Sequence, residues 1–386
     1  MDVQKSLQKN VHAVPLASKV CGSGSNLVIQ ATANGYTTPS YDQISFTIPD
    51  NSSYEMYVLH KAPLLRYVFI EHNVKVNLIH IEKCALVSVP RTIRNAPRLL
   101  CLIIRSCRIK HLDLNDLVQL PALRDLDLNH NQIVSIVELP AGVVLPINRL
   151  YLTHNKIRHV DRNVLHALKE LHCLVLDNNR IEEFPPDLAL PVVEELSIRH
   201  NKLATLNCTS WQMPYMRYLF CNNNRLTSVP IEWQTMWRMD MLDLSFNRLH
   251  SFRMDDIYLT QLRDLNLAAN ELTSVTTAQR HLRVPLERLQ LAHNWLTVLD
   301  ISRWGMPNLW ELDVDHNQLT ELGDAFMRFP AMDQMMILRY NNWSCAWLKR
   351  VHPDDLVRRN YGCLATNQSC PEGRLMVQEN AWICCW

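Results

Sequence analysis

One leucine pattern recurs through most of the chain and limits what it can fold into. The pattern L-x-x-L-x-L-x-x-N-x-L is cleanest at Leu123–Ile133 and Leu262–Leu272. Its Asn-type position falls at Cys84, Cys107, Asn131, Asn155, Asn179, Asn201, Asn224, Asn247, Asn270, Asn294, Asn317 and Asn341. The interval is nearly constant at about 23 residues, within the range of leucine-rich repeats. A degenerate thirteenth copy centres on Ala62, with Tyr57, Leu59 and Leu64 in phase. A unit of this length cannot bury its own apolar side, so neighbouring units must stack and share one continuous core.

The L-x-L segment of each copy reads as a short strand whose alternate residues face opposite sides. Its leucines point into the stack. The Asn side chain sits at the following turn and bonds backbone groups that the bend leaves unpaired. The expected fold is an α/β leucine-rich-repeat solenoid, a horseshoe of 12 to 13 repeats. Parallel strands line its concave face, and short helices and extended turns line its back. Helical spacing at Val160, Val164, Leu165 and Leu168 predicts one such helix, whereas Ser228-Val229-Pro230 predicts an extended piece. Cys84 and Cys107 replace Asn and are expected as buried thiols of the ladder. Cys221 takes an inward leucine slot.

The ends of an open solenoid need covers. Residues 1–40 are expected to be a poorly ordered segment. Residues 41–75 form an N-terminal cap with the degenerate repeat, in which the alternation Ile44-Ser-Phe46-Thr-Ile48 predicts a capping strand or hairpin. Residues 76–343 hold the repeats, and residues 344–386 a cysteine-rich C-terminal cap. That cap carries five cysteines, Cys345, Cys363, Cys370, Cys384 and Cys385. None has the Cys-x-x-Cys spacing of a zinc site, so disulfides are the expectation and no metal or cofactor is assigned. Four cysteines make two bridges; the fifth is left for an interchain bond or a free thiol. Of the other cysteines, Cys208 sits in a loop and is the one expected to bridge.

Composition narrows the function. A net charge of +1 offers no field to attract nucleic acid. Only 8 glycines occur, with no phosphate-binding glycine motif, no His-Glu-x-x-His and no nucleophile elbow, so no enzyme is expected. No apolar stretch is long enough to span a membrane. The stretch Met1–Val20 is polar and lacks a leader's apolar segment, which suggests that the natural start lies elsewhere. The cysteine-rich cap and the sequons at Asn51, Asn207, Asn342 and Asn367 nevertheless point to an extracellular protein. Asn342, in the cap turn, is expected to be sterically blocked.

The Asn341-Asn-Trp343-Ser-Cys345 turn, the later Cys370 and the adjacent Cys384-Cys385 resemble the C-terminal pattern of the mosquito leucine-rich-repeat immune proteins, the LRIM family. The resemblance covers residues 76–386. It implies an insect innate-immunity protein of the haemolymph that binds a complement-like thioester protein or a pathogen surface. It also implies an interchain disulfide through Cys384 or Cys385. Cys363 is additional to the family pattern, and no coiled coil follows the double cysteine here, which is like the family's short members.

Large residues at outward positions predict a protein-binding concave face: Tyr151, Tyr218, Phe220, Phe246, Trp310 and Tyr340. Charges alternate around them, which suits a protein better than a glycan or lipid. A histidine column precedes the Asn position at His130, His154, His200, His293 and His316, and is read as ordinary repeat sequence. The expectation is a secreted binding protein of innate immunity, with a receptor ectodomain or an intracellular adaptor as alternatives.

Overall fold

In the computed structural model the described residues are 34–332, 335–338, 340–351, 373–378 and 381–385. Fourteen strands form one parallel sheet, in chain order from Gly35–Thr38 to Met335–Ile337. The register never slips: Leu126, Leu150, Leu174, Leu196, Leu219, Leu242, Leu265, Leu289 and Leu312 stand side by side. A one-residue shift would turn every leucine out of the core, and all nine are at most 1 % exposed. One cluster of buried apolar side chains runs from Ile48 to Cys385. The fold is the expected leucine-rich-repeat solenoid.

The asparagine ladder ties each turn to the one before it. The Asn155 amide donates to its own Leu152 carbonyl at 3.0 Å and to the preceding turn's Leu128 carbonyl at 3.1 Å. Its Oδ1 accepts from the Ile133 amide at 3.0 Å. Asn131, Asn179, Asn201, Asn224, Asn247, Asn270, Asn294 and Asn317 repeat the same set.

The residue before each ladder position has positive φ, at Lys61, Lys83, Ser106, His130, His154, Asn178, His200, Asn223, Phe246, Ala269, His293, His316 and Tyr340. Lys61 extends this column to the degenerate copy at Ala62. Asn and His tolerate the left-handed region better than most residues, which gives the histidine column a backbone reason.

The expectations for Cys84, Cys107 and Cys208 change. Cys84 and Cys107 form a disulfide, with Cα atoms 4.6 Å apart. The same slot on adjacent turns lies at strand spacing, which falls within disulfide reach. Cys208 is a free thiol buried in the core, not a bridging loop residue. Cys173, an outward strand residue, is disulfide-bonded. Cys221 is a free, fully buried core residue, as its leucine slot implies.

The back of the solenoid is mixed. Arg162–His166 is helical and capped by Asp161, whose carboxylate accepts the Asn163 amide. Single turns of tighter helix lie at Leu114–Leu117 and Trp233–Thr235.

The N-terminal end departs from the expected cap. Gly35–Thr38 already pairs with Met56–Leu59 as the first strand of the main sheet, inside the segment expected to be poorly ordered. Ser45–Ile48 pairs in parallel with Tyr67–Ile70 on the back. It is half of a repeat turn rather than of a hairpin. Tyr36, Tyr41, Phe46, Tyr54 and Tyr57 pack edge and face on one another and cover this end of the core.

At the other end Trp343 and Trp347 lie 4.8 Å apart over the last turn. Their indole N–H groups donate to the Leu338 carbonyl at 2.7 Å and the Gly323 carbonyl at 3.0 Å. Both rings therefore bury without an unpaired donor. Ser344 caps the short helix Cys345–Leu348 by accepting the Trp347 amide. Cys345 is bonded to Cys385 in the antiparallel pair Gly373–Gln378 and Ala381–Cys385. Cys363, Cys370 and Asn367 lie outside the described residues.

Candidate binding face

Each central leucine is flanked by two residues that point to the concave side, which gives the face two columns. The first includes Leu78, Cys101, Asp125, Arg149, Cys173, Glu195, Tyr218 and Met241. The second includes His80, Ile103, Asp127, Tyr151, Val175, Ser197, Phe220 and Asp243. Strand spacing puts column neighbours in contact, so a side chain here buries against the next turn without entering the core.

That lateral packing changes what the outward aromatics offer. Tyr151 and Phe220 point outward yet are 6 % and 2 % exposed. Tyr151 packs with Cys173 and Val175. Phe220 lies under the Arg199 guanidinium, 3.9 Å from the ring centroid. Tyr218 is half-buried and stacks on Phe220 with ring centroids 6.5 Å apart. Phe246 and Tyr340 are not strand residues: both occupy the positive-φ turn column. Tyr340 is exposed and rests on His316 at 4.1 Å. Trp310 precedes the strand Glu311–Asp313 and keeps 38 % of its surface exposed, with the Arg288 guanidinium 5.9 Å from its ring. The repeat pattern thus merges strand, turn and strand-edge positions into one face.

The N-terminal part of the face is apolar, not mixed and polar. Val58, Leu78, Cys101 and Ile103 are buried against one another, with Met56 packed beside them. The signal was present in the unbroken apolar runs Met56–Leu59 and Cys101–Ile104. Alternation fails there because both sides of the strand are apolar. Burial pushes the Cys101 thiol up to about 12, so it behaves as a small apolar group rather than a nucleophile.

Next along the face come ion pairs between adjacent strands. Arg105 pairs with Asp127, and Arg149 holds Asp125 with contacts of 2.5 and 3.0 Å. Beyond them lies an aromatic and arginine patch. Arg217 pairs with Asp240 and sits 5.2 Å from the Tyr218 ring centroid. Asp177 and Asp243 form its acidic floor, and burial raises the pKa of each. Ser197 Oγ donates to Asp177 at 2.6 Å, and Ser245 Oγ donates to Asp243 at 2.7 Å.

The histidines form two stacked pairs: His130 on His154 at 4.4 Å and His293 on His316 at 4.1 Å. Of the sequons, Asn51 and Asn342 are exposed and Asn207 is half-buried, with its Oδ1 accepting the Thr209 amide at 3.0 Å. Exposure of Asn342 removes the expected steric block.

Phe246 gives a local test. A bulky residue at φ 53° carries roughly 1–2 kcal/mol of backbone strain that asparagine largely avoids. F246N is expected to raise stability by about 0.5–1 kcal/mol after the loss of partial ring burial. Urea unfolding checks it, and a fall in stability would show that the ring serves packing.

A leucine-rich repeat family model matches residues 260–319. Podocan-like protein 1 of Mus musculus is 29% identical over 247 residues, covering 54% of this chain and 42% of the relative. The chain thus spans about two fifths of the length of that relative. Fibromodulin of Oryctolagus cuniculus is 30% identical over 146 residues, covering 36% of this chain and 98% of the relative sequence. Among solved structures, the complex of LRIM1 with APL1C superposes with a TM-score of 0.56 over 90% of this chain and 71% of that one, at 17% identity. At that identity the likeness concerns the fold. The repeat register, the asparagine ladder and these matches converge on one conclusion: the chain belongs to the leucine-rich-repeat family.

Proposed function

We propose that this chain is an extracellular binding protein that engages a protein partner through its concave face. The observation that carries the reading is the patch of Tyr218, Phe220, Arg199 and Arg217. Aromatic and arginine side chains on a preformed surface are the composition of interface hot spots. Tyr218 is half-buried and rigidly stacked, so it loses little rotamer freedom on binding. Phe246, Trp310 and Tyr340 extend the proposed contact along the solenoid.

Secretion is supported by the disulfides Cys84–Cys107 and Cys345–Cys385, since such bonds persist in oxidising compartments. Among the described residues no helix is long and apolar enough to cross a membrane. The setting we assign is insect innate immunity, on the strength of the cap pattern and the fold shared with the LRIM1 and APL1C complex. Cys385 closes onto Cys345 within the chain, so an interchain link falls to Cys384.

The test uses a photo-crosslinking amino acid at position 218, with the same probe at the back position Arg162 as control, in insect haemolymph. The expected result is one covalent adduct from position 218 and none from 162. Equal labelling from both positions would exclude a concave interface. A nonreducing gel of the native protein tests the second element: an adduct that collapses on reduction and is absent from C384S supports the Cys384 link.

A further inference from the structure

The N-terminal end of the concave face gathers three side chains that suit a transition metal. His80 and Glu82 alternate along the strand Leu78–Glu82 and so share its concave side. His60 follows the strand Met56–Leu59, whose register with Leu78–Glu82 sets it beside Glu82. His60 Nδ1 lies 2.9 Å from Glu82 Oε1, and His80 Nε2 lies 3.7 Å from Glu82 Oε2. The donor atoms of all three lie within 4.8 Å of one another. Zinc bonds of about 2.0–2.2 Å place tetrahedral ligands roughly 3.3 Å apart, so small side-chain rotations close this set around one ion.

A second observation points the same way. His80 Nε2 is buried and has no hydrogen-bond partner. A buried ring nitrogen with no partner costs free energy, and a cation between it and Glu82 would satisfy it. Lys83 and Arg105 are the neighbouring cations, and Arg105 is paired with Asp127.

We propose that His60, His80 and Glu82 form a zinc-type divalent-cation site that clamps the second and third strands of the concave sheet. Two imidazoles and one carboxylate favour zinc over calcium or magnesium, which prefer oxygen ligands. The side chain of His60 is 36 % exposed, so the fourth position opens to solvent and could take a carboxylate or imidazole from a bound partner. Ligands from successive turns would also resist fraying of the N-terminal repeats.

The experiment titrates the chelator-treated full chain with zinc chloride by calorimetry, and with cobalt chloride by visible absorption. The second cluster, His293, Asp315 and His316, is the internal control. The H293A/H316A chain is expected to retain zinc binding and the intense visible bands of tetrahedral cobalt. E82Q and H80A in that background should weaken zinc at least about tenfold, while circular dichroism without metal stays unchanged. Zinc, but not magnesium, should raise the melting temperature of the H293A/H316A chain and leave E82Q unmoved. Absence of zinc binding in the H293A/H316A chain, or equal affinity in its E82Q version, overturns the proposal. If H80A alters the metal-free fold, E82Q decides, because it preserves side-chain shape.

Discussion

Asn247→Ala is expected to lower the stability of the central repeats by about 3–5 kcal/mol. The Asn247 amide donates to the Cys221 carbonyl at 3.1 Å and the Leu244 carbonyl at 3.0 Å, and its Oδ1 accepts the Leu226 amide at 3.0 Å. Asn247 is 8 % exposed, so alanine strands groups from two turns where water cannot easily replace the side chain. Each buried group left unpaired costs about 1–3 kcal/mol. In a linear stack the damage falls on the interface between neighbouring repeats. Urea unfolding should therefore shift to lower denaturant and broaden as the two halves uncouple. R248A, at the exposed position beside it, should stay within about 0.5 kcal/mol of the parent. A loss below about 1 kcal/mol in N247A would show that the ladder is dispensable there.

The second large effect is at the C-terminal cap. The Cys345–Cys385 bond has a sequence separation of 40, for which chain-entropy arguments give about 4 kcal/mol. The C345S/C385S chain is expected to expose Trp343 and Trp347, now 3 % and 1 % exposed, and to melt from this end. Tryptophan fluorescence should shift to the red well below the main transition. Limited proteolysis should trim the cap before the repeats. A single coincident transition with unchanged fluorescence would mean that the stacked indoles hold the cap without the bond. The Cys84–Cys107 bond, with a separation of 23, is expected to matter less by the same arithmetic.

Much of the architecture was legible in the chain because repetition amplifies a weak signal. One L-x-L segment is ambiguous, but copies in phase specify strand, inward leucine and ladder asparagine together. The degenerate copy at Ala62 was legible for the same reason, and the positive φ of Lys61 agrees with it, but Leu65 rather than the expected Leu64 is buried after it. The first strand, Gly35–Thr38, was not. Its residues carry no leucine pattern and join the sheet because the edge of Met56–Leu59 offers unpaired backbone groups.

The candidate face was less legible. The strand frame shows that Tyr151 and Phe220 point outward, but their exposure depends on neighbours contributed by other turns. Tyr151 is covered with Cys173 and Val175, and Phe220 by Arg199. His60, His80 and Glu82 carry no metal motif, since their spacing along the chain means nothing until two turns stack.

Local periodicity alone fixes the solenoid, its repeat length, its inward leucines and its asparagine ladder, since each follows from which residues recur in phase. The stacking of turns settles which cysteines pair, which outward residues remain accessible and which polar groups meet on the concave face. Those properties arise between turns, where a strand spacing of about 4.8 Å joins residues that the chain keeps far apart.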